Sequence, residues 1–155
     1  MARQLLIDTN LLVVVVLGAV RPGHIERFNR TRQYSTDDYL LLLDIINDFD
    51  QLVVTPHVLA ETSNLLGQLT EPLRATCLAY LASVLPDWKE EWRPASTLVN
   101  KVVYLRLGLT DTAAYQMAAE QVTVLTDDFD LYKATLEAGR STINFSHRRE
   151  ESGHL

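Results

Sequence analysis

The chain has 155 residues, enough for one domain with a single sizeable core, and its 47% hydrophobic and 22% charged residues are those of an ordinary globular protein. A formal charge of −6, from 14 basic and 20 acidic residues, excludes a molecule that grips nucleic acid over its whole surface but not one with a local basic patch. The single cysteine, Cys77, sits in an apolar helical run; it excludes an internal disulfide framework and suits a reducing compartment, the cytoplasm.

In chain order, residues 5–7 (LLI) read as a short buried strand, stopped by Asp8-Thr9-Asn10. The next run, residues 11–16, holds four valines and suits a strand by propensity. A polar break between two apolar runs nevertheless looks like a strand-to-helix turn, so a buried helix is expected, with Thr9 or Asn10 as its N-cap. Asp8 and Asn10 also stand inside the apolar run 5–20, which with its shortness argues against a signal peptide or a membrane span. Residues 18–33, with Pro22 and Gly23, read as a polar loop or lid. Ser35 to Asp38 then looks like a helix start, with acids in the first turn, before an apolar stretch at 39–49.

QLVVT at 51–55 is a strand, and Pro56 opens a helix through Glu61 and Leu66. A break at 67–72 precedes another helix at 73–85. Residues 88–94 form a charged connection with room for a short edge strand. Residues 95–107 read as a helix ended by Gly108, and Thr110-Asp111 opens the next, which runs through Ala119. VTVLT at 122–126 is a strand, 130–138 a helix ended by Gly139, and 142–145 a last strand. The tail from His147 is polar and expected to fray, so the domain is placed at 1–146 and the tail at 147–155. Strands alternating with helices predict an α/β fold with a mainly parallel sheet covered on both faces. In such sheets the functional cleft lies beyond the carboxyl ends of the strands.

Acids recur at those ends. Asp8 follows the first strand, Glu61 lies on the helix after QLVVT, Asp111 starts a helix, and Asp128 follows VTVLT with Asp130 two residues on. Each alone reads equally as a cap or a solvated side chain; their convergence is what points to chemistry. Asp8 sits between two apolar runs, where a carboxylate needs a cation, donors or a proton. The segments DTN, TPHVLAE, LTDT and LTDDFD contain no lysine or arginine, so bound metal is the economical answer. An all-oxygen set suits magnesium, manganese or calcium. Zinc would want histidine or cysteine, and His24, His57, His147 and His154 do not pair at ligand spacing. With no serine–histidine–acid order and no Gly-rich phosphate loop, carboxylates holding divalent ions best suit phosphodiester hydrolysis.

These segments resemble the PIN-domain nucleases, and among them the VapC-type toxins of toxin–antitoxin pairs. LLIDTNLL is similar to that family's opening motif, TPHVLAETSNLL to its second, GLTDTAAYQMA to its third and VLTDDFDLY to its fourth, in the same order over residues 5–145. The resemblance implies a PIN-like three-layer α/β/α sandwich and a Mg²⁺- or Mn²⁺-dependent endoribonuclease. Its metal-binding and catalytic acids would be Asp8, Glu61, Asp111 and Asp128, with Asp130 as an accessory ligand. Asn10 and Thr126 would orient the carboxylates, and Asp127 falls on a variable position. It further implies RNA as substrate, a homodimer, and an antitoxin partner that keeps the enzyme silent.

Two departures stand out. The interval between Asp8 and Glu61 is longer than in many of the toxins, and it holds a basic run in which Arg21, Arg27, Arg30 and Arg32 are opposed only by Glu26. That run is expected to contact the RNA backbone. The competing reading from another class is a non-catalytic PIN-like module that binds RNA or protein. A phospho-accepting receiver domain would want an acidic pair after the first strand and a late lysine, and an aspartate-nucleophile phosphatase a second acid at Asn10; the chain has neither arrangement.

Overall fold

The computed structural model describes residues 2–153; His154 lies outside them. Five strands, β1 (Gln4–Ile7), β2 (Gln51–Val54), β3 (Lys89–Glu90), β4 (Val122–Thr126) and β5 (Thr142–Asn144), form one sheet in the order β3-β2-β1-β4-β5, with every pairing parallel. The helices are α1 (Thr9–Val20), α2 (Thr36–Asn47), α3 (Pro56–Leu66), α4 (Leu73–Val84), α5 (Ala95–Leu98), α6 (Tyr104–Ala118), α7 (Phe129–Glu137) and α8 (Phe145–Glu151). They cover both faces of the sheet as an α/β/α sandwich. One core gathers α1 with residues of α2, α3, α4 and Phe145; the other lies between β4, α6 and α7. Burial on both faces is why the central strands read as near-continuous apolar runs.

The valine run is helical, as expected. α1 buries nine of its twelve residues, so packing on all sides overrides the β-propensity of its valines. It begins one residue earlier than the sequence suggested. Asp8 itself is the N-cap, with extended backbone and a carboxylate that accepts from the Thr9 amide at 2.9 Å. The helix also runs on to Val20 through Gly18, where a Cβ would stand 2.2 Å from the Tyr39 ring, so glycine is what lets α2 pack there.

The supposed lid is a packed strap. Ile25, Phe28, Thr31 and Tyr34 recur every third residue and all four are buried, while Arg27, Arg30 and Arg32 between them are exposed. α2 is opened by a reciprocal Ser35–Asp38 capping box, as its sequence implies. The expected edge strand exists as β3, two residues paired to β2.

Residues 95–107 do not form one helix. α5 stops at Leu98, where the Asn100 side-chain amide bonds back to the Ser96 carbonyl at 3.0 Å, a local bond that competes with helix. α6 starts at Tyr104 and kinks at Gly108, whose φ of 80° and ψ of 178° are non-helical, so the break expected there is real. Residues 147–151 of the tail are ordered in α8 rather than frayed, and the fold continues past residue 146. Asn144 caps α8 through the His147 amide, Phe145 is fully buried, and Arg149 is drawn inward onto Asp38 at 3.0 Å. Among the described residues no helix is long and apolar enough to cross a membrane.

Candidate functional site

The winding of the sheet reverses between β1 and β4: β2 and β3 lie to one side, β5 to the other. In open parallel sheets a crevice forms beyond the strand ends at such a switch point, because the two following helices depart on opposite faces. Asp8 directly follows β1 and Asp128 lies two residues past β4, which brings both acids to that crevice. Glu61 reaches it from the middle of α3 and Asp111 from α6, three residues beyond the Gly108 kink. The four line one cavity of about 320 Å³, together with Thr9 and Asn10.

A set of hydroxyls holds the acids. The buried Thr126 donates its hydroxyl to Asp8 Oδ2 at 2.7 Å and accepts from the Asp128 amide at 2.9 Å, linking the two strand ends. Asp128 Oδ1 in turn caps α7 by accepting from the Leu131 amide at 2.9 Å. Glu61 takes one hydroxyl on each oxygen, Thr9 at 3.0 Å and Thr110 at 2.7 Å. Thr126 thus makes a carboxylate hydrogen bond of the kind expected of it. Asn10 lines the cavity, but among the described residues no hydrogen bond of its side chain orients a carboxylate. Thr9 and Thr110 fill that role instead. They stand beside Asp8 and Asp111 in the sequence, and that adjacency was the available signal.

Among the described residues no basic one lines this cavity. Burial pushes the Asp8 carboxyl above its ordinary value; the bonds from Thr126 and Thr9 oppose that, and Asp128 and Glu61 add to it. Asp111 is pushed up to about 8, first by burial and then by repulsion from Asp8, Asp128, Glu61 and Asp130. A cluster of carboxylates in which Asp8 and Asp111 are raised by burial and by their acidic neighbours, with no cation among them, is chemically suited to a hard divalent ion bound through oxygen. Among the described residues no three His, Cys, Asp or Glu side chains already stand at a metal's ligand spacing. Repulsion between the carboxylates and the hydroxyl bonds that hold Glu61 both favour that open arrangement.

Asp130 stays outside the cavity, exposed on the first turn of α7, and acts on the cluster only through its charge on Asp111. Asp127, on a position expected to vary, is tied down. It accepts from the Tyr34 hydroxyl at 2.6 Å and from the Ser146 hydroxyl. Tyr34 belongs to the strap, and Arg149 of α8 stacks over its ring while donating to the Gln33 carbonyl. The bonds of α8 to the strap and α2 cross more than a hundred residues of sequence and carry no local signature.

The basic run is divided by the fold. Arg21 is the C-cap of the helix whose N-cap is Asp8, roughly 20 Å away along a helix rising about 1.5 Å per residue. Arg30 bonds to the Gln68 side chain at 2.9 Å. Arg27 is exposed on the strap, and Arg32 lies next to Gln33, which lines a smaller cavity of about 150 Å³ sharing Asp8, Asn10 and Asp128 with the main one.

No family model matches the chain, and no curated protein matches it. Its fold is similar to the crystal structure of PAE2754 from Pyrobaculum aerophilum, at 18% identity over all of this chain and 98% of the other, with a TM-score of 0.56. A domain of a functionally unknown protein from Methanocaldococcus jannaschii is similar at 14% identity over 92% of this chain and 91% of that one, with a TM-score of 0.46. At these identities the first likeness shows a shared fold and nothing of activity.

Proposed function

We propose that this protein is a divalent-metal-dependent endoribonuclease of PIN type, using Mg²⁺ or Mn²⁺ to hydrolyse RNA phosphodiester bonds in the cytoplasm. The observation that carries the reading is the convergence of Asp8, Glu61, Asp111 and Asp128 on one cavity at the topological switch point, with no basic one among the described residues lining it. Those four would hold the metal, with Asp130 close enough to add negative charge. A divalent ion bound there supplies Lewis acidity and makes water a better nucleophile near neutral pH. The chain's own part is positional. Thr126 fixes Asp8 relative to Asp128, and Thr9 and Thr110 fix both oxygens of Glu61. The resemblance to VapC-type toxins extends the proposal to a homodimer and an antitoxin partner.

The second reading is a non-catalytic PIN-like module that binds RNA or protein: four carboxylates on one cavity give competence for metal and not turnover. The experiment that separates the two incubates total and structured RNA with the protein in chelator, then in Mg²⁺ or Mn²⁺. Cleavage that appears only with metal supports the nuclease. Metal-induced thermal stabilisation without cleavage of any RNA supports the binding module, and an absence of both would return the four acids to caps and surface.

A further inference from the structure

Three cavities meet around the acids. The main one shares Asp8, Asn10 and Asp128 with the smaller cavity beside Gln33 and Tyr34, and it shares Glu61 and Asp111 with a third of about 410 Å³ beside Leu107 and Gly108. Common walls make them one trough. It starts at the strap, which packs in the layer of α1, crosses the carboxyl edge of the sheet, and ends at the kink of α6 in the opposite layer.

The chain segment that leads into the far end of this trough carries a surface that the carboxylate chemistry does not explain. Residues 99–106, between α5 and the kink, contain Lys101 and Arg106 and no acid. Arg106 directly precedes Leu107, which lines the third cavity. Among the described residues neither cation enters an ion pair. Arg32, at the other end, enters none either. On the same segment Val102 is 97% and Leu105 92% exposed, the two barest large apolar side chains in the described structure. Unpaired cations beside bare apolar side chains suit a ligand that offers negative charge and flat apolar faces together. A single nucleic-acid strand offers phosphates and unstacked bases.

We propose that Lys101 and Arg106, with Val102 and Leu105, form the distal rim of the trough, gripping the backbone of a single RNA strand while Arg32 holds it on the other side of the acids. This rests on the ribonuclease reading and adds to it which face of the molecule receives the strand. The cations placed at the two ends offset the repulsion that the acidic wall exerts on a polyanion.

The test measures equilibrium binding of a short labelled single-stranded RNA in Mg²⁺ over a range of salt, in the Asp8→Asn background so that the strand is not cut. Removing both cations (Lys101→Ala with Arg106→Ala) is expected to weaken binding about tenfold and to reduce the slope of log K against log salt by about 1.4, near 0.7 for each phosphate contact to a single strand. Arg106→Lys should keep the slope. Lys133→Ala, which removes an exposed cation paired with Glu137 on α7, should change neither quantity. Binding by the parent with affinity and slope unchanged in the double variant overturns the rim and leaves the nuclease reading standing. No binding by the parent at any salt overturns both. The same segment could instead face a second copy of the chain: if Val102→Glu abolishes a dimer in sedimentation while the double variant binds RNA normally, the rim is overturned in favour of an interface between copies.

Discussion

Replacing Asp111 by asparagine removes a charge and almost no volume, and it isolates the cost of keeping a carboxylate charged there, first against burial and then against its acidic neighbours. In the folded protein the Asp111 carboxyl is pushed from 3.8 up to about 8. The folded state therefore keeps a proton that the unfolded chain gives up near pH 4. The stability linked to that proton is fully present below the unfolded value and is lost as pH rises through about 8. Each pH unit between the two values corresponds to about 1.4 kcal/mol, and allowing for solvent around a part-exposed group leaves about 2–3 kcal/mol of the full span. In a domain of this size that is about 5–10 °C in Tm. Thermal melts in chelator should therefore show the parent losing more stability from pH 5 to pH 8 than Asp111→Asn, which keeps only the smaller loss linked to the buried Asp8 carboxyl. At pH 8 the variant should be the more stable protein. Adding Mg²⁺ or Mn²⁺ at pH 8 should raise the parent's Tm and narrow the gap. A variant that is less stable than the parent at pH 8, or two curves that stay parallel across the range, would refute the claim that a charged carboxylate is costly at this position.

Thr126→Val should keep the shape of the buried side chain but lose the bond to Asp8 and the acceptor for the Asp128 amide; metal affinity in a Mn²⁺ titration should fall by about 10–100-fold. Gly18→Ala should destabilise by about 1–3 kcal/mol, since its Cβ would stand 2.2 Å from the Tyr39 ring, whereas Gly23→Ala, with nothing within 4 Å, should be nearly neutral in denaturant melts. Gly108→Ala meets no clash either, but φ of 80° with ψ of 178° is a conformation essentially confined to glycine and costs an alanine about 1–3 kcal/mol, and the shift it forces on α6 should weaken metal-induced stabilisation as well. Arg149→Met should cost about 3 kcal/mol by withdrawing the guanidinium from Asp38, whose side chain is 1% exposed; an unchanged Tm would mean that α8 is not held by that pair.

Much of the fold was legible because parallel strands buried on both faces must be apolar and must be joined by helices. LLI, QLVV and VTVLT announced themselves, and Asp8 and Asp128 just beyond two of them marked the edge of the sheet where the cavity lies before any geometry was known. What escaped was of two kinds. Local competition decided where elements began and ended. Asp8 took the cap expected of Thr9 or Asn10, and a back-bonded Asn100 ended α5. Long-range pairing decided what was ordered. α8 looked like a polar tail because Arg149 finds Asp38 only across 111 residues, and the strap looked like a lid because its charged arginines mask Ile25, Phe28, Thr31 and Tyr34 at three-residue spacing. In the site, the acids were evident from their places after strands. The threonines that hold Glu61 were not, since a hydroxyl beside an aspartate reads equally as a turn residue. The basic run was visible as charge, but sequence proximity concealed that Arg21 sits at the far end of α1.

If Asp8 serves chemistry and not folding, a single comparison will show it. Parent and Asp8→Asn are incubated with the same RNA in Mg²⁺ or Mn²⁺, with cleavage, RNA binding and thermal stability recorded on the same samples. The parent is expected to cut and the variant is not, while the variant still binds RNA and still folds. A variant that cuts as fast as the parent would contradict the assignment of Asp8 to the metal site.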